Sequence, residues 1–367
     1  MTIKRLSITF LILAVLSVAT WLIKRPAPPP GLDPRTGQPL VSRETLAAAR
    51  EITIREGDRT VTLSTDETNG TWQVADYYGF PVDFSKLSSL ASSLQSASVV
   101  RLVSRNPDRI ERLDLGNAGI EIATGGALPA VRLAIGKTSE GGGRFIGFDT
   151  EEKAYLTDLT IQIDATAKNW ALARLLDFKA EDVSGVDISF EDDAAHLVVK
   201  RDTAEADWKL ASAQATGNVR SRELNNLLNR FTGLRFTDTD EPGSEESIAA
   251  LDHSRSVIIE LFDGTRYSIR IGRRPAPPVA PAEEGPEENS AATPPPAPKP
   301  GPVYVFVESN REDTPINQLM ARRSFRISDY TFTSLPASAD ILIEPVPEPP
   351  PEPAPEPESA EEPAGGN

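Results

Sequence analysis

The sequence predicts an α+β protein in which two similar units, each a mainly antiparallel sheet with one amphipathic helix, follow one N-terminal transmembrane helix and precede a disordered Pro/Glu-rich tail. Three observations predict it. An apolar stretch of spanning length opens the chain, a single series of strand, tryptophan and helix signals runs through it twice, and prolines crowd toward the C-terminus. With 367 residues and 39% hydrophobic side chains, there is material for two or three packed cores. The 32 prolines exceed what a compact body accommodates, so part of the length stays unfolded.

Lys4 and Arg5 precede an uncharged stretch over 6–23 that stops at Lys24, Arg25 and Pro26. At about 1.5 Å per residue, a helix of that length just crosses a hydrocarbon core of about 30 Å. Leu6, Phe10, Leu13, Leu16, Trp21 and Ile23 are the expected anchor residues. The competing reading is a cleaved signal peptide, with Ser17 and Ala19 as its small-residue cleavage site. A soluble core helix would gather its polar positions on one face, whereas Ser7, Thr9, Ser17 and Thr20 scatter around this one. Basic pairs at both ends tie the positive-inside rule, and the short N-terminal flank favours a body outside the cytoplasm.

The expected organisation is an anchor over 1–25, an extended Pro/Gly linker over 26–45, a first α+β unit over 46–165, a linking helix and second unit over 166–335, and an acidic tail over 336–367. Alternating strand patterns at 51–54 and 60–63 precede Trp72, and patterns at 186–190 and 196–200 precede Trp208. A helix follows each tryptophan. Asp83 caps the first, with Leu87, Leu90 and Leu94 on one stripe; Ser221 caps the second, with Leu224, Leu227, Leu228 and Phe231. These leucines and Phe231, with Trp72 and Trp208, are the expected core of the repeat. Each helix leads to a short helical turn ending Leu113-Asp114 or Leu251-Asp252, then to strands ending Ile135-Gly136 or Ile271-Gly272. Past those glycines the first copy has a short glycine loop, and the second a disordered proline-rich insert over 275–302. Leu172, Leu175 and Leu176 suggest a linking helix over 170–178. From Pro345 onward Pro, Glu and Ala dominate, a composition that favours solvated polyproline II.

A formal charge of −16 and pI of about 4.7 exclude nucleic acid as a partner. Without cysteine there is no disulfide, thiolate nucleophile or cysteine metal site. Gly136-Lys137-Thr138 imitates the end of a phosphate loop, but Val131 stands where the first glycine belongs and no helix follows. Asp238, Asp240 and Gly243 fall at calcium-loop positions, but Pro242 and Ala249 remove two ligands. His196 and His253 have no second histidine at metal-binding spacing and read as ordinary strand and turn residues. No G-x-S-x-G motif occurs. Asp149, Glu191 and Asp193 read as surface charges, although paired carboxylates distant in sequence remain open. No catalytic residue, metal ligand or cofactor is expected.

The span, the Trp72-Gln-Val and Trp208-Lys-Leu strands with their leucine-rich helices, the Leu-Asp turns and the Ile-Gly strand ends resemble the bacterial domain-of-unknown-function family 4340, often found beside gliding-motility-type ABC transporter components. The resemblance extends over 46–330. Family members commonly carry a proline soon after the Leu-Asp turn, where Gly116 and Ser254 stand here. The resemblance implies a periplasmic accessory to a transport or envelope complex, with no catalytic residues to carry over. The expected function is therefore non-catalytic: a single-pass protein of a bacterial inner membrane that binds an ABC transporter permease or other envelope protein. Two alternatives stand beside it, a carboxylate-dependent cell-wall or polysaccharide hydrolase and an envelope-spanning spacer whose tail reaches on the order of 70 Å.

Overall fold

A computed structural model describes residues 33–345 except 69, 191–195, 213–215, 278–298 and 313. The expected anchor residues Leu6, Phe10, Leu13, Leu16, Trp21 and Ile23 lie outside the described residues, as do most of the insert and the tail. Among the described residues no helix is long and apolar enough to cross a membrane. The fold is α+β, with two large antiparallel sheets and flanking helices, and it divides into unit 1 (Met1–Leu172) and unit 2 (Ala173–Asn367).

Unit 1 runs α1 (Arg43–Ala47), β1 (Ala49–Glu56), β2 (Arg59–Thr65), β3 (Trp72–Val74), β4 (Phe80–Pro81), α2 (Phe84–Ser96), β5 (Val99–Ser104), α3 (Pro107–Glu111), β6 (Ala118–Thr124), β7 (Val131–Thr138), β8 (Arg144–Phe148), β9 (Ala154–Thr157) and α4 (Ala167–Trp170). Its sheet order is β4-β3-β2-β1-β6-β7-β8-β9-β5. Ile52, Ile54, Val61, Leu63, Ile120 and Ile122 are buried at every second position, as one sheet face packed on a core requires. Asp83 caps α2 by accepting from the Ser85 N–H at 3.1 Å. The stripe of Leu87, Leu90 and Leu94 is buried.

Unit 2 runs β10 (Val183–Ser189), β11 (His196–Lys200), β12 (Lys209–Leu210), β13 (Asn218–Val219), α5 (Ser221–Thr232), β14 (Asp238–Asp240), α6 (Glu245–Asp252), β15 (Ser254–Leu261), β16 (Arg266–Arg273), β17 (Val303–Ser309), α7 (Pro315–Arg322), β18 (Ser324–Ile327), α8 (Asp329–Thr333) and β19 (Ile343–Glu344). The order β12-β11-β10-β15-β16-β17-β18-β14 repeats that of unit 1 strand for strand, and β13 pairs with β19 instead of extending the large sheet. Leu224, Leu227, Leu228 and Phe231 of α5 are buried.

Four expectations are corrected. Residues 33–45 are no free linker: Asp33, Leu40 and Val41 are buried. The folded chain also runs past 335, because Leu342 and Ile343 are buried and β19 pairs with β13. The linking helix reduces to α4, after which the chain is extended, with Leu172 N–H donating to Pro81 O and Leu175 N–H to Leu234 O. Leucines spaced for a helix thus serve an extended segment whose backbone finds partners outside it. Ser221 does not cap α5; it is the first helical residue, because Arg220 ahead of it is tied by its N–H to Leu342 O.

In each unit the turn that carries the Leu-Asp pair lies against the glycine of the Ile-Gly pair. A Cβ on Gly136 would stand 2.3 Å from Leu113 O, and one on Gly272 would stand 2.1 Å from Ala250 O and 2.8 Å from His253 O. The turn backbone therefore lies directly on the strand, and in unit 1 Lys137 N–H donates to Leu113 O at 3.0 Å. Only glycine leaves room. Gly136→Ala and Gly272→Ala are each expected to destabilise the fold by about 1–3 kcal/mol in urea titrations, whereas Gly116→Ala, where an added Cβ meets nothing, should be near neutral.

The segment entering unit 1 is held by a charged clasp. The Asp33 carboxylate, fully buried, accepts from the Tyr155 hydroxyl at 3.1 Å, Lys153 Nζ at 3.2 Å, Arg105 Nη2 at 3.3 Å and the Arg35 N–H at 3.2 Å. Glu151 completes it by accepting from Arg35 Nε and by sharing the single Tyr155 hydroxyl proton with Asp33. Beyond the clasp, Gly37 and Leu40 N–H groups donate to Val99 and Ala97 carbonyls at 2.7 and 2.9 Å. Burial pushes both carboxyls up, but their donors outweigh it and hold Asp33 and Glu151 below the usual carboxylate range. Burial, with the two carboxylates beside it, raises Tyr155. A lowered carboxyl contributes stability above its unfolded pKa and loses it as pH falls through the folded one, so stability should decline below about pH 4.5. Asp33→Asn should cost about 2–3 kcal/mol at neutral pH and flatten that acid decline, as followed by thermal melts across pH.

Candidate functional site

Unit 1 contains a half-open cavity of about 420 Å³, within the range of small-molecule pockets. Its floor is Ile54 and Ile120, which face each other across the β1–β6 ladder at the middle of the sheet. One wall is the flank of α2, where Ser85, Ser89 and Ser93 recur at helical spacing beside Lys86 and Leu90. The other wall is the segment over 161–170 that follows β9, contributing Ile161, Ile163 and Trp170.

That second wall is stiffened by its own hydrogen bonds. Trp170 Nε1–H donates to Asp164 O at 2.8 Å, and the Asp164 carboxylate accepts from Thr166 N–H and Asn169 Nδ2, each at 2.8 Å. Burial pushes the Asp164 carboxyl up, yet the Thr166 and Asn169 donors prevail and keep it below the usual range. Lys86 Nζ donates to Asn169 O across the mouth. Asp83 N–H donates to Trp170 O at 2.8 Å, so helix and wall are joined at one end.

The matching flank of α5 in unit 2 is built differently. When Leu87 is set on Leu224, the positions of Ser85, Ser89 and Ser93 carry Arg222, Asn226 and Arg230, and that of Ala91 carries Leu228, which is fully buried. Arg230 Nη1 donates to Ser334 O in the segment returning after β18, where Phe332 and Leu335 are buried. Arg222, Asn226 and Arg230 are themselves exposed, so this flank carries longer side chains at the positions where α2 carries serines. Unit 2 has its own, more polar cleft of about 530 Å³ beside Arg270, Phe306 and Arg323. Groups in it are already engaged: Arg323 bonds Thr239, and the Asn317 amide bonds Ser309 and Arg311.

The two tryptophans expected in the core differ. Trp208 is buried beneath the Arg201 guanidinium, 4.5 Å from its ring, with its Nε1–H on Asn225 Oδ1 at 3.4 Å. Trp72 is only half-buried, because it pairs with Thr65 at the end of the β2–β3 ladder, toward a sheet edge formed by the two-residue β4. Gly136, Lys137 and Thr138 end β7 and enter a hairpin to β8. Asp240 accepts from Arg326 Nη2 and the Tyr304 hydroxyl, each at 2.6 Å. No group of three or more potential metal ligands is present among the described residues. Asp149 pairs with Arg132 at 3.2 Å, while Glu191 and Asp193 lie outside the described residues.

Sequence reasoning missed one cluster. His196 Nε2 lies 2.9 Å from Ser189 Oγ, and its Nδ1 lies 2.9 Å from Asp187 Oδ1. The spacing imitates a nucleophile, base and carboxylate, which the alternation of β10 and its cross-strand partner His196 could have flagged. Two features set it apart from a working triad. Asp187 Oδ1 is buried with no donor directed at it, so the histidine contact is close but unaligned. Ser189 lies in an interior strand, paired with His196 and Ser256, so its N–H runs in the sheet plane while its hydroxyl stands off the face. An oxyanion forming over that hydroxyl would have no backbone donor from Ser189 aimed at it.

The family described as "Domain of unknown function (DUF4340)" matches residues 72–253. The match begins at β3 of unit 1 and ends just past α6 of unit 2, so it omits β1, the central partner of β6, and β15, the central partner of β10. Neither a curated protein nor a solved structure matches the chain. The leucine-rich helices, both Leu-Asp turns and the first Ile-Gly strand end all fall inside the matched segment, and over residues 72–253 the chain carries a domain of the DUF4340 family.

Proposed function

We propose that the chain is a non-catalytic, membrane-anchored extracytoplasmic protein that binds a transporter or other envelope complex. In this reading two units arisen by duplication follow a transmembrane helix over 6–23 on the periplasmic side of a bacterial inner membrane, and a disordered acidic tail closes the chain. The observation that carries it is the clasp at Asp33. Only the residues over 24–32 separate the expected span from a carboxylate bonded into unit 1, a reach of about 30 Å at full extension. A body tethered that closely is suited to an integral membrane partner, and poorly suited to reaching across an envelope. The repeated strand order supports a binding scaffold, since one frame presents two differently elaborated surfaces.

Mild-detergent isolation of the full chain from membranes is expected to recover a permease or another integral envelope protein. A chain that stays partner-free after crosslinking from exposed Tyr78 and Phe84 would overturn the proposal. The hydrolase alternative makes the opposite demand on Ser189. A fluorophosphonate probe is expected to label wild type and Ser189→Ala equally weakly; serine-dependent labelling would favour the enzyme.

A further inference from the structure

The cavity in unit 1 has a chemical character that narrows its occupant. Its depth is aliphatic, ending on the nearly fully buried Ile54 and Ile120 of the central strands, and its rim carries serine hydroxyls, two carboxamides, the Asp164 carboxylate and one cation, Lys86. A nucleotide would need several cations or backbone donors around its phosphates, and a sugar would need polar groups in the depth. An extended peptide would lay unpaired N–H and C=O groups over an apolar floor, since Ile54 and Ile120 already belong to strands paired on both sides. A saturated chain brings no such groups.

We propose that this cavity binds the single acyl chain of a carboxylate-headed amphiphile, with methylenes against Ile54, Leu90, Ile120 and Ile161 and the carboxylate at Lys86. The Lys86 ammonium spends one donor on Asn169 O and retains two for a carboxylate at the mouth. The neighbouring Asp164 carboxylate accepts from Thr166 and Asn169 and also feels the Lys86 charge, so a bound carboxylate would share that cation with it. Unit 2 differs in sequence at this flank: three small hydroxyl side chains stand on α2 where α5 carries two arginines and an asparagine. This inference does not depend on which envelope complex the protein binds.

The test uses the full chain in amphipol with a diazirine-bearing dodecanoate, followed by peptide mapping. Label is expected on peptides covering 84–96 and 161–170, competed by unlabelled dodecanoate. Ser89→Leu, which fills the groove from a surface position, should reduce labelling about tenfold while leaving the melting temperature within a degree or two of wild type. Lys86→Gln should weaken competition by dodecanoate roughly threefold and leave competition by dodecanol unchanged. Label spread evenly over the chain, or unaffected by Ser89→Leu, would overturn the proposal. So would labelling by a diazirine phospholipid that dodecanoate cannot displace, which would assign the cavity to bilayer lipid, or competition by an apolar peptide alone, which would assign it to a protein partner.

Discussion

The pairing of β1 with β6, and of β10 with β15, is the constraint on which the rest of each unit depends. In both, the chain forms an outer hairpin, crosses in a helix, lays a strand at the far edge and only then returns to complete the middle of the sheet. Ile54 meets Ile120 and Ile188 meets Val257 across these ladders. Such non-local closure costs loop entropy before it gains burial, so the interior aliphatic pairs must repay it. Once the centre is closed, the leucine stripe of each helix has a face to cover, and the turn after it lands on the glycine of the next strand.

Shared architecture makes the departures informative. Gly136 and Gly272 serve the same close backbone approach, so that part of the frame tolerates little change in either unit. The helix flanks do not share this constraint. Serines stand on one, while exposed arginines, an exposed asparagine and a buried leucine stand on the other, and neither choice alters strand order. The helix flanks can therefore diverge in side chain while the supporting sheet is held fixed.

The alternating isoleucines of β1 and the leucine stripes of α2 and α5 were legible because burial writes itself at periods of two and about 3.6. The Leu-Asp and Ile-Gly pairs were visible as a recurrence, but their meaning was not, since contact between a carbonyl and an absent Cβ leaves no periodic sign. Leu172, Leu175 and Leu176 misled because leucines at helical spacing also occur in an extended segment, where Leu175 and Leu176 are buried and Leu172 is exposed. Asp33 was hidden within proline and glycine, and its partners Arg105, Lys153 and Tyr155 are remote in sequence. The cavity was invisible for a related reason: serines on a helix look like a solvent face until a second segment is known to pass beside them. The close approach of Ser189, His196 and Asp187 likewise depends on cross-strand register, which local pattern does not specify.

The β16–β17 hairpin carries a practical consequence. Gly272 pairs with Tyr304 and Arg273 with Val303, so the ladder is intact up to the point where the proline-rich stretch departs. Strand register on either side is fixed by that stem, and the closure cost of what lies between grows only as the logarithm of its length. The junction is thus a natural port for fusing a reporter or an affinity handle inside the polypeptide, at a distance in sequence from both termini.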